Sequence, residues 1–164
     1  MKINYYGFRA IYLHEMDRFK RTLLQSLISP VLSTSLYFIV FGSVIGNYVQ
    51  NIDGISYGSY IVPGLIMLTL LTQSISNTSF GIFFPKFNGS IYEILAAPIS
   101  TFEMVLAFVG AGATKTIIIG AVIFLTSMYF VEVSVLHPFL MIFLLILVSF
   151  TFALFGFLIG LMST

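Results

Sequence analysis

Residues 22–52 read TLLQSLISPVLSTSLYFIVFGSVIGNYVQNI, a run of 31 residues between Arg21 and Asp53 without a charged side chain. About 20 apolar residues suffice for a helix to cross the roughly 30 Å hydrocarbon core of a bilayer. A second uncharged run of 32 residues lies between Asp53 and Lys86. These two runs predict the first two spans of a membrane protein.

The C-terminal half holds two further apolar runs. Only Lys115 interrupts the run that follows Glu103, and no charge follows Glu132 up to Thr164. We therefore expect an all-α membrane protein, a polytopic helical bundle with four transmembrane helices. The spans are expected near residues 23–49, 58–84, 108–131 and 139–162. They form a transmembrane domain over residues 23–164, which follows a cytoplasmic helix over residues 1–22.

The composition excludes several classes of protein. Of the 164 residues 59% are apolar and 8% charged, with a mean hydropathy of +1.05, whereas a soluble domain carries about 25% charged residues. A net charge of +1 indicates no nucleic-acid partner. The sequence contains no cysteine, so it offers no disulfide and no thiolate ligand. It also shows no pair of His spaced as metal ligands, and we expect no metal site.

The basic residues predict the orientation. Five of the seven Lys and Arg precede the first span, and Lys86 lies between the second and third spans. Short loops rich in Lys and Arg stay in the cytoplasm, which places the N-terminus there. Residues 1–22 are typical of an interfacial amphipathic helix, either a basic anchor or an elbow that also touches a cytoplasmic partner. Its expected apolar arc consists of Tyr5, Phe8, Tyr12, Met16, Phe19 and Leu23.

The loop at residues 86–103, KFNGSIYEILAAPISTFE, is the most informative stretch. Its apolar spacing predicts a short amphipathic helix over residues 86–97, which Pro98 ends. Ser100 and Glu103 are spaced as a capping box that starts the next helix. On residues alone, this loop is either an interfacial hairpin or an element that transmits a push from a soluble partner.

Polar and small residues mark the interior of the spans. The polar side of the second span either forms hydrogen bonds between helices or lines a substrate path; its residues are Thr69, Thr72, Gln73, Ser76 and Ser79, with Asn77 at its edge. Lys115 either snorkels to the cytoplasmic surface or stands at the inner mouth of that path, near an anionic substrate or Glu103. Close helix packing is expected at Gly42, Gly46, Gly112, Gly120, Gly156 and Gly160.

Three stretches resemble the permeases of type-2 ABC transporters, the ABC-2 family of bacterial drug and polysaccharide exporters. They are LYFIVFG (36–42), SYIVPGLIM (59–67) and FNGSIYEILAAPIS (87–100). The resemblance implies a bacterial inner-membrane protein that pairs with a second permease copy, as a homodimer or a heterodimer, and with a cytosolic ATPase. The loop would then be the coupling helix that docks on the ATPase, through Phe87, Ser90, Ile91, Glu93, Ile94 and Pro98. Family members have about six spans, so we expect this chain to be an N-terminal fragment.

Sequence motifs for chemistry in this chain itself are missing. The nearest match to a phosphate-binding loop, Gly110 to Thr116 (GAGATKT), lacks the second glycine and lies in a span. We therefore expect ATP and Mg²⁺ on the partner ATPase and no cofactor on this chain. Two other classes of function stay open: a passive channel or secondary carrier, and a membrane scaffold that transports nothing.

Overall fold

The computed structural model describes residues 4–45, 51–52, 55–131 and 135–163, and helices make up most of these ranges. The elements in chain order are α1 (Tyr5–Arg21), α2 (Leu23–Tyr37), a π-helical segment that continues α2 (Phe38–Ile45), β1 (Asn51–Ile52), β2 (Ile55–Ser56), α3 (Tyr57–Phe87), α4 (Ile91–Ala96), α5 (Thr101–Phe130) and α6 (Pro138–Met162). β1 and β2 form a short antiparallel pair before α3.

Four stretches of helix are long and apolar enough to cross a bilayer: Leu23–Phe41, Tyr57–Phe87, Thr101–Phe130 and Pro138–Met162. They correspond to the four predicted spans, so the expected polytopic helical bundle is confirmed. α5 begins before the expected span because a capping box holds its first turn. The Glu103 N–H donates to Ser100 Oγ, and the Ser100 N–H donates to the Glu103 carboxylate, as the sequence predicts.

The predicted helix over residues 86–97 is wrong in its extent. α3 continues through Lys86 to Phe87, and α4 is only six residues long. The break occurs at Gly89, whose φ of 78° lies in the left-handed region that glycine adopts without strain. Ala97 then takes an extended conformation, as expected for a residue before proline. The loop is therefore a turn, a short helix and a second turn.

α3 is the central helix, and α5 lies antiparallel beside it. Gly112 on α5 faces Thr78 on α3, and Gly120 faces Leu70. A Cβ atom at Gly120 would lie 2.7 Å from the Leu70 side chain, which is closer than a van der Waals contact. These two glycines allow α5 to approach α3 closely.

α6 runs parallel to α3 and approaches its backbone. A Cβ atom at Gly156 would lie 2.6 Å from the Ile75 carbonyl oxygen, and one at Gly160 would lie 2.7 Å from the Ser79 carbonyl oxygen. Both glycines therefore contact the backbone of α3 directly. The other predicted pair is not placed, because Gly46 and the surroundings of Gly42 lie outside the described residues.

α1 runs alongside α5 in the same direction. Asn4 at its start contacts Glu103 at the start of α5, and Phe19 near its end packs against the middle of α5. The buried residues of α1 are Ile11, Glu15 and Phe19. At 100° per residue, the centre of this face is rotated by about 60° from the centre of the expected apolar arc. The rotation turns a carboxylate inward, which requires a partner for its charge.

The contact between Gly156 and α3 leaves no room for a side chain. We expect Gly156→Ala to lower the free energy of unfolding by about 1–3 kcal/mol, because overpacking a filled interior costs that much. Denaturant unfolding of the purified protein in detergent measures this difference. Gly64→Ala is the control, since a Cβ atom at Gly64 meets nothing within 4 Å. Equal losses in the two variants would contradict the close approach of α6 to α3.

Candidate functional site

α4 lies at the end of the bundle that the sequence places in the cytoplasm, and one side of it packs inward. Ile91 and Ile94 pack against a buried cluster that includes Ile11 and Phe108. Two of the predicted coupling residues are therefore covered by the bundle itself. The reason is the turn at Gly89, which sets the direction of α4 independently of α3.

The other side of α4 and the end of α3 carry exposed apolar side chains. Phe87 is 77% exposed, Tyr92 74% and Leu95 61%. Of the remaining predicted coupling residues, Glu93 and Pro98 are exposed and Ser90 is half-buried. We call Phe87, Tyr92 and Leu95 the α4 patch.

The sequence prediction did not single out Tyr92, because it treats residues 86–97 as one helix. The signal that identifies the break is the pair Asn88–Gly89, a dipeptide typical of turns. Tyr92 and Leu95 are three residues apart and therefore share the outer side of α4.

The predicted polar side of α3 is only partly covered by the helices described around it. Thr72 and Ser76 are exposed. Thr69, Gln73 and Asn77 are half-buried, and the Asn77 amide donates to Gln73 Oε1 over 3.5 Å. The Thr69 and Thr72 hydroxyls donate to carbonyl oxygens of α3 itself, so these two residues tolerate lipid. The amides of Gln73 and Asn77 at bilayer depth favour water or protein neighbours.

A second polar side, on α2, was missed by the sequence reasoning. Gln25, Ser29 and Ser33 recur at intervals of four residues and are all exposed. The buried residues of α2 are Pro30 and Thr34, which lie on a different side of the helix. The four-residue spacing was the available signal.

A buried cluster of charges joins α1 to α5. Lys115 Nζ donates to Glu15 Oε2 over 2.7 Å, and both side chains are only 3% exposed. Arg18 lies 3.0 Å from the same oxygen. Gly81 of α3 faces this carboxylate, and a Cβ atom there would lie 3.4 Å from Glu15 Oε2. Three helices therefore meet at one carboxylate.

The expectation that Lys115 snorkels to the surface is wrong, because its side chain is buried and paired against α1. Its place at the inner mouth of a substrate path stays a prediction. Glu103 does not meet it, because the Glu103 carboxylate binds the N–H groups of Asn4 and Ser100. An ion pair between positions 100 residues apart is not visible as a local pattern.

A cavity of about 540 Å³ opens between α1, the end of α3 and α4. Its walls mix apolar and charged side chains, including Ile11, Phe84, His14, Arg21 and Glu93. Among the residues that the structure describes, no group of three His, Asp or Glu side chains could hold a metal ion.

Lys86 connects the end of α3 to the end of α6. Its Nζ donates to the carbonyl oxygens of Leu161 over 2.7 Å and of Ser163 over 2.6 Å, with a longer bond of 3.4 Å to Gly160. The last carbonyl groups of a helix have no partner within the helix and carry partial negative charge. A lysine from the neighbouring helix satisfies them here.

Comparison with known proteins identifies clear relatives. The profile of the ABC-2 type transporter family matches residues 6–164. The inner membrane transport permease YadH of Escherichia coli K12 is 35% identical over 161 residues, which are 98% of this chain and 62% of YadH. YadH of Escherichia coli O157:H7 and of Shigella flexneri match with the same identity and coverage. This chain thus spans 62% of the length of these curated relatives. No solved structure matches it.

The buried ion pair predicts a specific pattern of stabilities. We expect Lys115→Met to lower the free energy of unfolding by about 3 kcal/mol, the lower end for breaking a buried pair, since Arg18 still neutralises part of the charge on Glu15. Combining it with Glu15→Gln removes both charges, so the double variant should lose less than the two single losses added together. Denaturant unfolding in detergent measures all three variants.

Lys20→Met is the matched control for the ion pair. Lys20 pairs with Asp17 over 3.0 Å, but both side chains are more than half exposed, and exposed pairs contribute little. Strictly additive losses for Lys115→Met and Glu15→Gln would contradict the pairing of the two residues.

Proposed function

The chain belongs to the ABC-2 type transporter family, and from this premise we propose that it forms the first four spans of an export permease driven by a separate cytosolic ATPase. A second copy of the permease completes the substrate path. The observation that carries the proposal is the α4 patch, three large apolar side chains exposed at the end of the bundle expected in the cytoplasm.

The α4 patch needs a protein partner. Lipid tails cover exposed apolar side chains within the bilayer, but they do not cover a loop in the cytoplasm. Tyr92 and Leu95 lie three residues apart on one side of α4, and exposed apolar surface of this kind is typical of docking sites. Phe87, Tyr92 and Leu95 present aromatic and aliphatic surface, which suits a groove on the ATPase lined with apolar side chains. Glu93 is exposed but lines the cavity beside α1, which also contains His14 and Arg21.

The contacts of α4 allow it to transmit a displacement to the rest of the bundle. Ile91 and Ile94 rest on the buried cluster formed with α1 and α5. These two contacts, rather than the cavity of about 540 Å³ beside them, would carry a displacement of α4 to the helices behind it. In the proposed cycle, ATP-driven closure of the ATPase presses on α4 and shifts α1 and α5, and the substrate path changes its accessibility from one side of the membrane to the other.

Energy comes from the partner. The sequence offers no phosphate-binding loop, because GAGATKT lacks the required glycine and lies within α5. We propose that ATP and Mg²⁺ bind the ATPase subunit alone and that this chain is not itself an enzyme.

The substrate path is proposed to run along the polar sides of α2 and α3. Thr72 and Ser76 on α3, with Ser29 on α2, are exposed polar side chains within membrane spans. The neighbouring amides of Gln73 and Asn77 favour water or another protein subunit over lipid. The second permease copy would close this path from the opposite side, with Thr69, Gln73 and Asn77 also lining it.

The relatives support the proposed location. YadH carries the name inner membrane transport permease, and we propose the same membrane and the same general activity for this chain. The N-terminus then lies in the cytoplasm, in agreement with the excess of basic residues before the first span.

The docking proposal predicts that a charge within the α4 patch disrupts the complex. In the full-length protein we expect Leu95→Glu to reduce permease-bound ATP hydrolysis about tenfold, because burying a carboxylate in an apolar contact is costly. Leu136→Glu is the control, since Leu136 is 86% exposed but precedes α6 at the opposite end of the bundle. Hydrolysis at the wild-type level with Leu95→Glu would contradict docking through this patch.

If the substrate path runs along the polar side of α3, we expect this side to be accessible to water. The sequence contains no cysteine, so Ser76→Cys introduces a unique thiol into this part of the full-length protein. We expect a charged, water-soluble maleimide to modify it at least tenfold faster than Phe143→Cys, an exposed position on α6 that we expect to face lipid. Equal rates in native membranes would argue against a water-lined path at this face.

A further inference from the structure

Glu103 binds the starts of two helices at once. Its Oε1 accepts the Asn4 N–H over 2.7 Å, and its Oε2 accepts the Ser100 N–H over 2.9 Å. Asn4 is the N-cap of α1 and Ser100 is the N-cap of α5. Helix N-termini carry partial positive charge, so one carboxylate stabilises both. The residue is 7% exposed, and both hydrogen bonds are partly buried.

Further contacts join the same two segments. The Asn4 side-chain amide donates to the Pro98 carbonyl oxygen over 3.0 Å, and its oxygen accepts the Gly7 N–H over 3.2 Å. Gly7 lies directly against Ile99, where a Cβ atom would be 2.6 Å from Ile99 Cγ1. The start of α1 is thus held against the turn between α4 and α5 by hydrogen bonds and by a close contact between Gly7 and the Ile99 side chain.

Within the turn between α4 and α5, the Ile99 N–H donates across Pro98 to the Ala97 carbonyl oxygen over 2.7 Å. α4 has six residues, and Ala97 and Ser100 on either side of Pro98 are both extended. A displacement of α4 could bend the turn between α4 and α5 instead of moving α5. Contact with α1 on the other side of the turn restrains that bending.

We propose that Glu103 is a positioning residue that fastens α1 to the turn between α4 and α5, so that both segments move as one body when α4 is displaced. We call this set of contacts the Glu103 clasp. The clasp deepens the proposed function and rests on it, because the displacement is attributed to a docked ATPase. Glu103 itself touches neither substrate nor ATP.

The first experiment measures the clasp directly. Spin labels at Tyr6→Cys and Ala96→Cys, both exposed positions, report the distance between α1 and α4 in the full-length protein, with any other cysteine replaced. We expect a narrow distance distribution that becomes at least twice as wide with Glu103→Gln, because an amide cannot carry the charge that two N–H groups share. Asp17→Asn, a change of an exposed carboxylate on α1, should leave the width unchanged.

A second variant tests the clasp independently, in case Glu103→Gln fails to fold. Gly7→Ala inserts a methyl group against Ile99 and leaves both caps of Glu103 chemically intact. We expect the same widening, or a shift of the mean distance, whereas Gly64→Ala should have no effect because its surroundings are open. Unchanged distributions for both Glu103→Gln and Gly7→Ala would overturn the clasp.

The second experiment tests transmission. With the ATPase bound, we expect ATP to change the maleimide reaction rate of Ser76→Cys several-fold, and Glu103→Gln to abolish that change while at least half of the ATP hydrolysis remains. A merely structural role would lower both together. A full ATP response in Glu103→Gln would overturn the role in transmission. The distance measurement needs no ATPase, so failure of the wild type to respond to ATP would count against the proposed function and leave the clasp standing.

Discussion

The architecture depends on how closely two helices can approach α3. Within a bilayer the lipid tails are as apolar as the side chains. Helices therefore associate through close packing rather than through exclusion of water. Gly112 on α5 and Gly156 and Gly160 on α6 provide that packing by removing the side chain at the point of contact. With two sides of α3 covered in this way, its polar side is only partly covered by the helices described around it.

Charged residues within the bundle are stabilised by oppositely charged neighbours. Glu15 lies on the buried face of α1 because Lys115 and Arg18 both reach its carboxylate. On a helical wheel, every charged residue is assigned to the outer side of α1. The predicted buried face is therefore centred too far from Glu15. The partner that corrects the wheel belongs to another helix.

The features predicted correctly from the sequence are those that depend on neighbouring residues. The four spans follow from uncharged runs such as residues 22–52, and the start of α5 follows from the spacing of Ser100 and Glu103. The partner of Lys115 could not be predicted, because it requires knowing that α1 packs on α5. The error in α4 is of a different kind. Gly89 was visible in the sequence, and its conformation overrode an apolar periodicity that continues across it.

The contacts of Lys86 bear on how the protein is assembled in the membrane. α6 is the last of the described helices to be synthesised. The carbonyl groups at its C-terminal end accept hydrogen bonds from the charged amine of Lys86, which precedes Leu161 by 75 positions. Basic residues resist transfer across the membrane, so Lys86 is already held on the cytoplasmic side when α6 inserts. The orientation of the fourth span is therefore supported by a charge that the second span brought into place.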